Sequence, residues 1–428
     1  MTKDSTKARP NILLGAEWHD SIEACVRMEV RGFIEQMLEA ELSTALGRAR
    51  YARARGTERL PSALRGSAAE ESDAADELAI VGHRNGHRDR QVMGTFGATT
   101  VSVPRARLEA ADGKMSEWHS KALPAYQRRT KEIDAVIAGA YLAGTNTRRV
   151  GRALAALFRG SVSKDTVSRT WRKLKGDWDA WNARDLSTED IARLILDGTM
   201  VRVRLDRQAT AISLLVVLGV RTDGQKVLVS VRNMGGESEA AWRAVLDDLV
   251  RRGLKRPALA IVDGAPGLEA ALASLWSDLL VQRCTVHKLR NLIAHAPKRL
   301  AEEVSLDFSD MINGKTAKEV ATRRKAFVRK WRLKCRAVAD SLAEAGEQLF
   351  TFTRLPPDQW KSARTTNAIE RLHEEFKRRI KTQTVLPSAE TAAMLFWALL
   401  ASGQIRLRKV DGWRTLGREL AHPIDLAA

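Results

Sequence analysis

The chain has 428 residues, with 71 lysines and arginines against 52 aspartates and glutamates, for a formal net charge of +19. That length supports two or three domains. So one-sided a charge implies a polyanion partner, because phosphate neutralisation supplies most non-specific nucleic-acid affinity. Three cysteines without paired spacing exclude a disulfide scaffold and fit a reducing compartment. The longest apolar run, ISLLVVLGV, is far too short to span a bilayer, and no basic-plus-apolar signal opens the chain. A soluble, cytoplasmic protein with no membrane partner is expected.

Residues 1–75 read as an N-terminal helix and a linker. Over 17–47, Ile22, Val26, Val30, Phe33, Ile34, Met37, Leu38 and Leu42 form one apolar stripe closed by Gly47. Such a face has to be buried, and packing within its own domain is expected. Residues 48–75, rich in Arg, Ala, Gly, Ser and acids, read as the linker. Residues 76–125 form a small β and basic segment. QVMGTFGATTVSVPRAR alternates like a hairpin, and the basic run His83–Arg88 before it reads as a loop. His83 and His87 lack further partners, and with Gly86 between them they read as loop histidines, not metal ligands.

Residues 126–188 read as a helix-turn-helix-like DNA-binding domain. Helices are expected over about 131–143, 147–158 and from a cap at Ser163. The last two resemble a helix-turn-helix, with Lys164, Asp165, Ser168, Arg169 and Arg172 of the recognition helix available to phosphates or base edges. A plain packing module of three helices is the other reading.

From 189 onward the pattern changes. LILDGTMVRVRLD has the period of a strand and places Asp197 among core residues, where an ionised carboxylate is costly unless paired or metal-bound. AISLLVVLGV and KVLVSVRN follow as two more antiparallel strands. A helix ends at Gly253, and ALAIVDG is a buried strand ending at Asp263. A helix over about 266–278, the strand VQRC and another helix complete the order β-β-β-α-β-α-β-α. That order fits a mixed α/β, ribonuclease-H-like sheet whose acids converge on divalent metal. Two metals about 3.5–4 Å apart serve phosphodiester attack by activating the nucleophile and stabilising the leaving oxygen. Hard oxygen ligands suit Mg²⁺, with Mn²⁺ as substitute.

The third acid is sought in TTNAIERLHEEFKRR. Asn367 reads as the N-cap with Glu370 as its capping-box partner, and Ile369, Leu372, Phe376 and Ile380 form the apolar stripe. Glu370, Glu374 and Lys377 stack on its flank. The stretch before it reads as an all-α insertion at about 295–360. Residues 315–336 of that insertion hold ten lysines and arginines, Arg329 and Lys330 among them, against the single acid Glu319. A DNA-facing surface and a solvated helical face both fit. Cys284-x-x-His287 lacks the second pair that a structural zinc needs, and Cys25 and Cys335 stand alone, so no zinc is expected. The pair reads as a brace between the fifth strand and the next helix. Taken singly, Asp197 also fits an ion pair, Asp263 a turn, and Glu370 a cap.

Several landmarks together resemble the Mutator-type bacterial insertion-sequence transposases, which are DDE enzymes. They are Asp197 in LDGT, Ser238-Glu239-x-x-Trp242, Asp263 in IVDG, Cys284-x-x-His287 and TTNAIERLHEEFKRR, with YQRRTKEID and SVSKDTVSRTW upstream. The resemblance covers roughly residues 80–415. Gly198 stands where many members have Ala, Ala368 where many have Pro, and His373 where Asn is usual. The resemblance implies that Asp197, Asp263 and Glu370 hold two Mg²⁺ ions in a catalytic domain spanning 189–428. It favours Glu370 over Glu374, because six residues separate Glu370 from Lys377. Lys377 and Arg378 would then meet phosphates near the cut. It further implies binding of the element's terminal inverted repeats, exposure of a 3′-hydroxyl by water, and attack of that hydroxyl on another phosphodiester, through a circular intermediate. Bringing two ends together requires at least a homodimer on double-stranded DNA. A hydrolytic nuclease of the same fold and a DNA-binding regulator descended from a transposase are the rival classes.

Overall fold

The structure is a computed structural model described over residues 21–48, 50, 81–109, 114–142, 150, 164–205, 208–381 and 385–418. The linker read at 48–75 and the middle helix read at 147–158 fall almost wholly outside these residues. The chain divides into two compact units, residues 1–140 with 147–170 and residues 141–146 with 171–428.

In the first unit, helix α1 (Ser21–Ala45) packs on a hairpin of β1 (Val81–Gly94) and β2 (Gly97–Glu109), with β3 (Met115–Glu117) beside β2. Leu38 meets Val92, Val101 and Val103, while Leu42 meets Ala106 and Trp118. Carboxylates pin the helix: Glu39 accepts from Arg84 at 2.6 Å, and Glu35 accepts from the Ser102 N–H at 2.8 Å. The stripe expected to be buried throughout is buried only in its second half. Ile22 is 71% exposed and Phe33 68%, since α1 docks on the hairpin through Leu38 and Leu42. The segment read as a loop at His83–Arg88 instead belongs to β1. The register shifts between Arg84 and His87, and Gly86, at φ 70°, supplies the bulge. His87 pairs with Glu39 at 2.8 Å. Helix α2 (Lys131–Leu142) follows, with Asp134 accepting from Arg129 at 2.8 Å. Helix α3 (Lys164–Ala183), whose residues from Trp171 onward belong to the second unit, begins next to Ser163, where a cap was expected.

The second unit is built on a five-stranded mixed sheet. Strands β4 (Ile191–Leu205), β5 (Gln208–Arg221) and β6 (Lys226–Asn233) form an antiparallel meander. Strands β7 (Leu259–Val262) and β8 (Leu280–Arg283) add in parallel, giving the order β6-β5-β4-β7-β8. Side chains alternate across the sheet. Leu194 and Leu196 join Val245, Leu246 and Leu249 of helix α4 (Glu239–Arg251) and Leu268 and Leu272 of helix α5 (Pro266–Leu275) in one core. Burying each such aliphatic side chain stabilises the unit by about 1.5–3 kcal/mol. Ser238 caps α4 through the Ala241 N–H at 3.2 Å, and Gly253, at φ 92°, turns the chain out of it.

The opposite face of β4 carries Ile195 and Asp197. Beyond helix α6 (Thr285–His295) the chain is helical, through α7 (Ala301–Ile312), α8 (Ala317–Lys334), α9 (Arg336–Glu344) and the short α10 (Trp360–Ala363). It then enters α11 (Asn367–Ile380) and the apolar α12 (Ala389–Ala401). Phe376 of α11 packs on Phe396 of α12, their rings 4.8 Å apart. Among the described residues, no helix is long and apolar enough to cross a membrane.

Candidate active site

Asp197 and Asp263 come together through strand register. In the parallel pairing of β4 with β7, Ile195 faces Ile261. Carrying that register two residues onward aligns Asp197 with Asp263 on the same face. Both sit low in solvent. Burial pushes the Asp263 carboxyl above its ordinary range, against the hydrogen bond it accepts from the Ala265 N–H at 2.9 Å, and the Asp197 charge pushes it the same way. Asp263 is therefore both the turn residue its dipeptide suggested and an acid held beside another acid. Asp197 Oδ2 meets Nδ1 of the buried His373 at 3.3 Å. The ring's other nitrogen, Nε2, is buried with no hydrogen-bond partner among the described residues.

Glu370 arrives from 107 positions later in the chain than Asp263, and a seam between two helix starts brings it in. Cys284 ends β8, and its N–H donates to Val262 O at 2.7 Å. Its buried Sγ accepts from the Thr366 N–H at 3.3 Å, while Thr285 donates through both N–H and Oγ1 to Arg364 O. The start of α6 is thus stitched to the start of α11. Thr366, not Asn367, precedes α11, and its hydroxyl donates to Glu370 Oε1 at 2.9 Å. The expected capping box does not form: the cap position falls on Thr366, which makes no side-chain cap bond and gives its N–H to Cys284 and its hydroxyl to Glu370, because the backbone and not the residue type decides where helical dihedrals begin.

His287 bridges the two sides. Its Nδ1 lies 3.5 Å from Glu370 Oε1. Hydrogen bonding with Cys284 pushes His287 up, and the charges of Glu370 and Asp197 add to that against burial. Burial would push the Cys284 thiol up, but hydrogen bonds with His287 and Thr366 hold it below its ordinary value. Ligand atoms of Cys284, His287 and Glu370 lie within 4.8 Å of one another. Arg290 reaches Glu370 Oε2 at 3.4 Å. His373, Thr366 and Arg290 carry this arrangement and were not anticipated as site residues. Two of them lie inside or beside the Glu370 motif, so their proximity in sequence was the available signal.

The expected DNA contacts scatter. Lys377 is exposed, whereas Arg378 is clasped by Glu375 at 2.7 Å. Arg172 and Arg329 are exposed, and Arg169 is exposed with an interaction of its own. Lys330 lies between Glu303 at 2.9 Å and Asp307 at 2.6 Å. The side chain of Lys164 falls outside the described residues.

A mixed α/β domain built on a five-stranded mixed sheet is compatible with what comparison with known proteins finds. The family described as "Transposase, Mutator family" matches residues 1–406. The chain is 29% identical over 374 residues to the transposase for insertion sequence element ISRM5 of Rhizobium meliloti (strain 1021), covering 87% of this chain and 86% of that one. It is 29% identical over 323 residues to the transposase for IS256 in transposon Tn4001 of Staphylococcus aureus, covering 74% and 80%. Against the transposase for IS6120 of Mycolicibacterium smegmatis it is 31% identical over 250 residues, covering 58% and 77%. The chain belongs to the Mutator family of insertion-sequence transposases.

Proposed function

We propose that the chain is a DDE transposase that binds the terminal inverted repeats of its own insertion sequence, cuts there, and joins the ends to another phosphodiester. What supports this reading is the register that aligns Asp197 of β4 with Asp263 just after β7, and His287, which feels the charges of both Glu370 and Asp197. The strand order β6-β5-β4-β7-β8, a meander followed by two parallel strands, supports a ribonuclease-H-like catalytic domain over 189–428.

The three side chains fit divalent magnesium, with manganese as substitute. They offer hard carboxylate oxygens, and Asp263, raised by burial and then by the Asp197 charge, is in a setting that a cation would relieve. Bound there, two such ions would supply a deprotonated nucleophile and a stabilised leaving oxygen. The protein's own part is positioning. His373 orients Asp197, Thr366 and His287 hold Glu370, and the Cys284 seam fixes α11 against β8. Lys377, Arg172 and Arg329, exposed and without a carboxylate partner among the described residues, are the proposed phosphate contacts. Residues 126–188 are the proposed helix-turn-helix reader, and joining two ends calls for at least a homodimer working on cytoplasmic DNA.

The test is a plasmid bearing both element ends, incubated with wild type or Glu370→Gln in Mg²⁺ or EDTA. Metal-dependent nicking at the ends followed by joined products, lost in the variant, is the expected result. Nicking without joining would replace the transposase with a nuclease. Binding with no cleavage would make it a regulator, and an active Glu370→Gln would transfer the role to Glu374.

A further inference from the structure

The side of α11 turned away from Glu370 borders a second feature. Thr365, Ala368 and Arg371 line a cleft of about 960 Å³, closed by the start of α6, the end of α7 and residues 405–411. Its charge is mostly positive. Lys226, Arg364, Arg371, Arg406 and Arg408 line it, and among the described residues none of them has a carboxylate within ion-pair distance. Arg364 donates instead to neutral oxygens, Ile312 O at 2.9 Å and Asn313 Oδ1 at 2.8 Å. The two acids on the wall are already engaged: Glu375 holds Arg378 and Arg379, and Asp411 lies 3.4 Å from Lys361.

Five cations that lack an ion-pair partner among the described residues give the cleft a positive potential that a polyanion would match. Burial, followed by the neighbouring Arg371 charge, pushes the Lys226 ammonium below its ordinary value, with Asp411 opposing. Arg406 and Arg408 lie on the irregular stretch beyond α12, and both line the cleft. Fork-shaped guanidinium groups spaced along a groove suit successive phosphates better than a single small anion. The groove shares α11 with the carboxylates, so a strand lying in it is carried along the helix that bears Glu370.

We propose that this cleft seats the phosphodiester backbone of the DNA strand that leads to the carboxylate cluster, through Lys226, Arg364, Arg371, Arg406 and Arg408. The proposal rests on the reading of the chain as a DNA-cutting and DNA-joining enzyme, and adds a strand path that no motif marked.

The test uses the full chain carrying Glu370→Gln, so that binding is measured without cleavage. Affinity for a labelled duplex bearing an element end is followed against salt for three proteins: this parent, the parent with Arg371→Ala, Arg406→Ala and Arg408→Ala, and the parent with Lys255→Ala, Lys298→Ala and Arg299→Ala. The second triple removes equal charge from exposed positions outside the cleft. Each lost phosphate contact lowers the slope of log K against log salt by about 0.9, so the cleft triple should lower it by about two to three and the control by less than about one. Equal slopes in the two triples, or no change in the cleft triple, would overturn the proposal. Should the triple fold poorly, the exposed single reversals Arg371→Glu and Arg408→Glu test the same contacts, and an unchanged slope in both would overturn the proposal equally. Loss of slope in a protein whose wild type neither cuts nor joins would remove the enzymatic reading and leave the cleft as a DNA seat.

Discussion

The two flanks of α11 carry opposite charges in opposite states of engagement. On the Glu370 flank each acid touches a neighbour: Asp197 has His373, Asp263 has the Ala265 N–H, and Glu370 has Thr366, His287 and Arg290. On the Arg371 flank, Lys226, Arg364, Arg371, Arg406 and Arg408 line a groove without a carboxylate in ion-pair distance among the described residues, while Lys361 and Lys409 beside them are paired. On the proposed reading, one helix separates a cluster that would hold cations from a groove that would hold anions. Positioned acids mark chemistry, whereas unpaired cations mark adhesion, and substitutions on the two sides should fail in different ways.

The sharpest break is on the acid side. Asp197→Asn or Asp263→Asn should abolish strand cutting and joining while leaving duplex affinity and its salt slope unchanged. Partners that merely orient a metal ligand already cost about 10–100-fold when removed, so removing a ligand itself should cost more. Equal loss of binding and cutting would show that the carboxylates serve folding. One step down, His373→Leu should slow cutting by roughly 10–100-fold, because Asp197 then loses the polar ring nitrogen 3.3 Å from its carboxylate. His373→Asn should keep most of the activity, since an amide N–H can take the ring's place. A normal rate in His373→Leu would make the 3.3 Å contact incidental.

The same comparison extends to α8, where charge and availability part company. Lys330 meets Glu303 and Asp307, Lys334 meets Glu303, and Arg323 meets Asp310 at 2.6 Å and Glu319. Much of the helix's positive charge is thus matched by acids on α7 and on α8 itself. Lys330→Ala should leave the salt slope of DNA binding unchanged, whereas Arg329→Ala should lower it by about 0.9 if that side chain meets a phosphate. A drop of that size in Lys330→Ala would mean that DNA displaces Glu303 and Asp307.

This is also where sequence reading meets its limit. The alternation over 194–206 and the apolar run before Asp263 display the strands, because a pleated strand leaves its period in the residues themselves. The ten cations of 315–336 display a charge but not its partners, most of which come from a different helix. The cleft is less visible still: Lys226, Arg364, Arg371 and Arg406 belong to separate segments that only folding assembles. Local conformation defeats residue type in smaller ways. The cap of α11 moved from Asn367 to Thr366, and Gly86 opened a bulge inside a strand, not a loop. The apolar stripe of α1 promised burial along its whole length, yet only the half that meets the hairpin is covered.

The smallest effect is also the most diagnostic of the acid flank. A carboxyl raised in the folded state binds its proton more tightly there than in the unfolded chain. Asp263 starts from an ordinary value of 3.8 and is raised by burial and then by Asp197. Its contribution to stability is therefore complete below that ordinary value and is lost as pH rises through the folded one. Without added divalent cation, the unfolding midpoint of wild type should fall relative to Asp263→Asn across that interval and then run parallel to it. Adding Mg²⁺ at neutral pH should raise wild type more than the variant, because a cation offsets the repulsion that the asparagine has already removed. A gap between the two proteins that ignores both pH and Mg²⁺ would mean that Asp263 is held by its turn alone, and the contrast between the two flanks of α11 would lose its acid half.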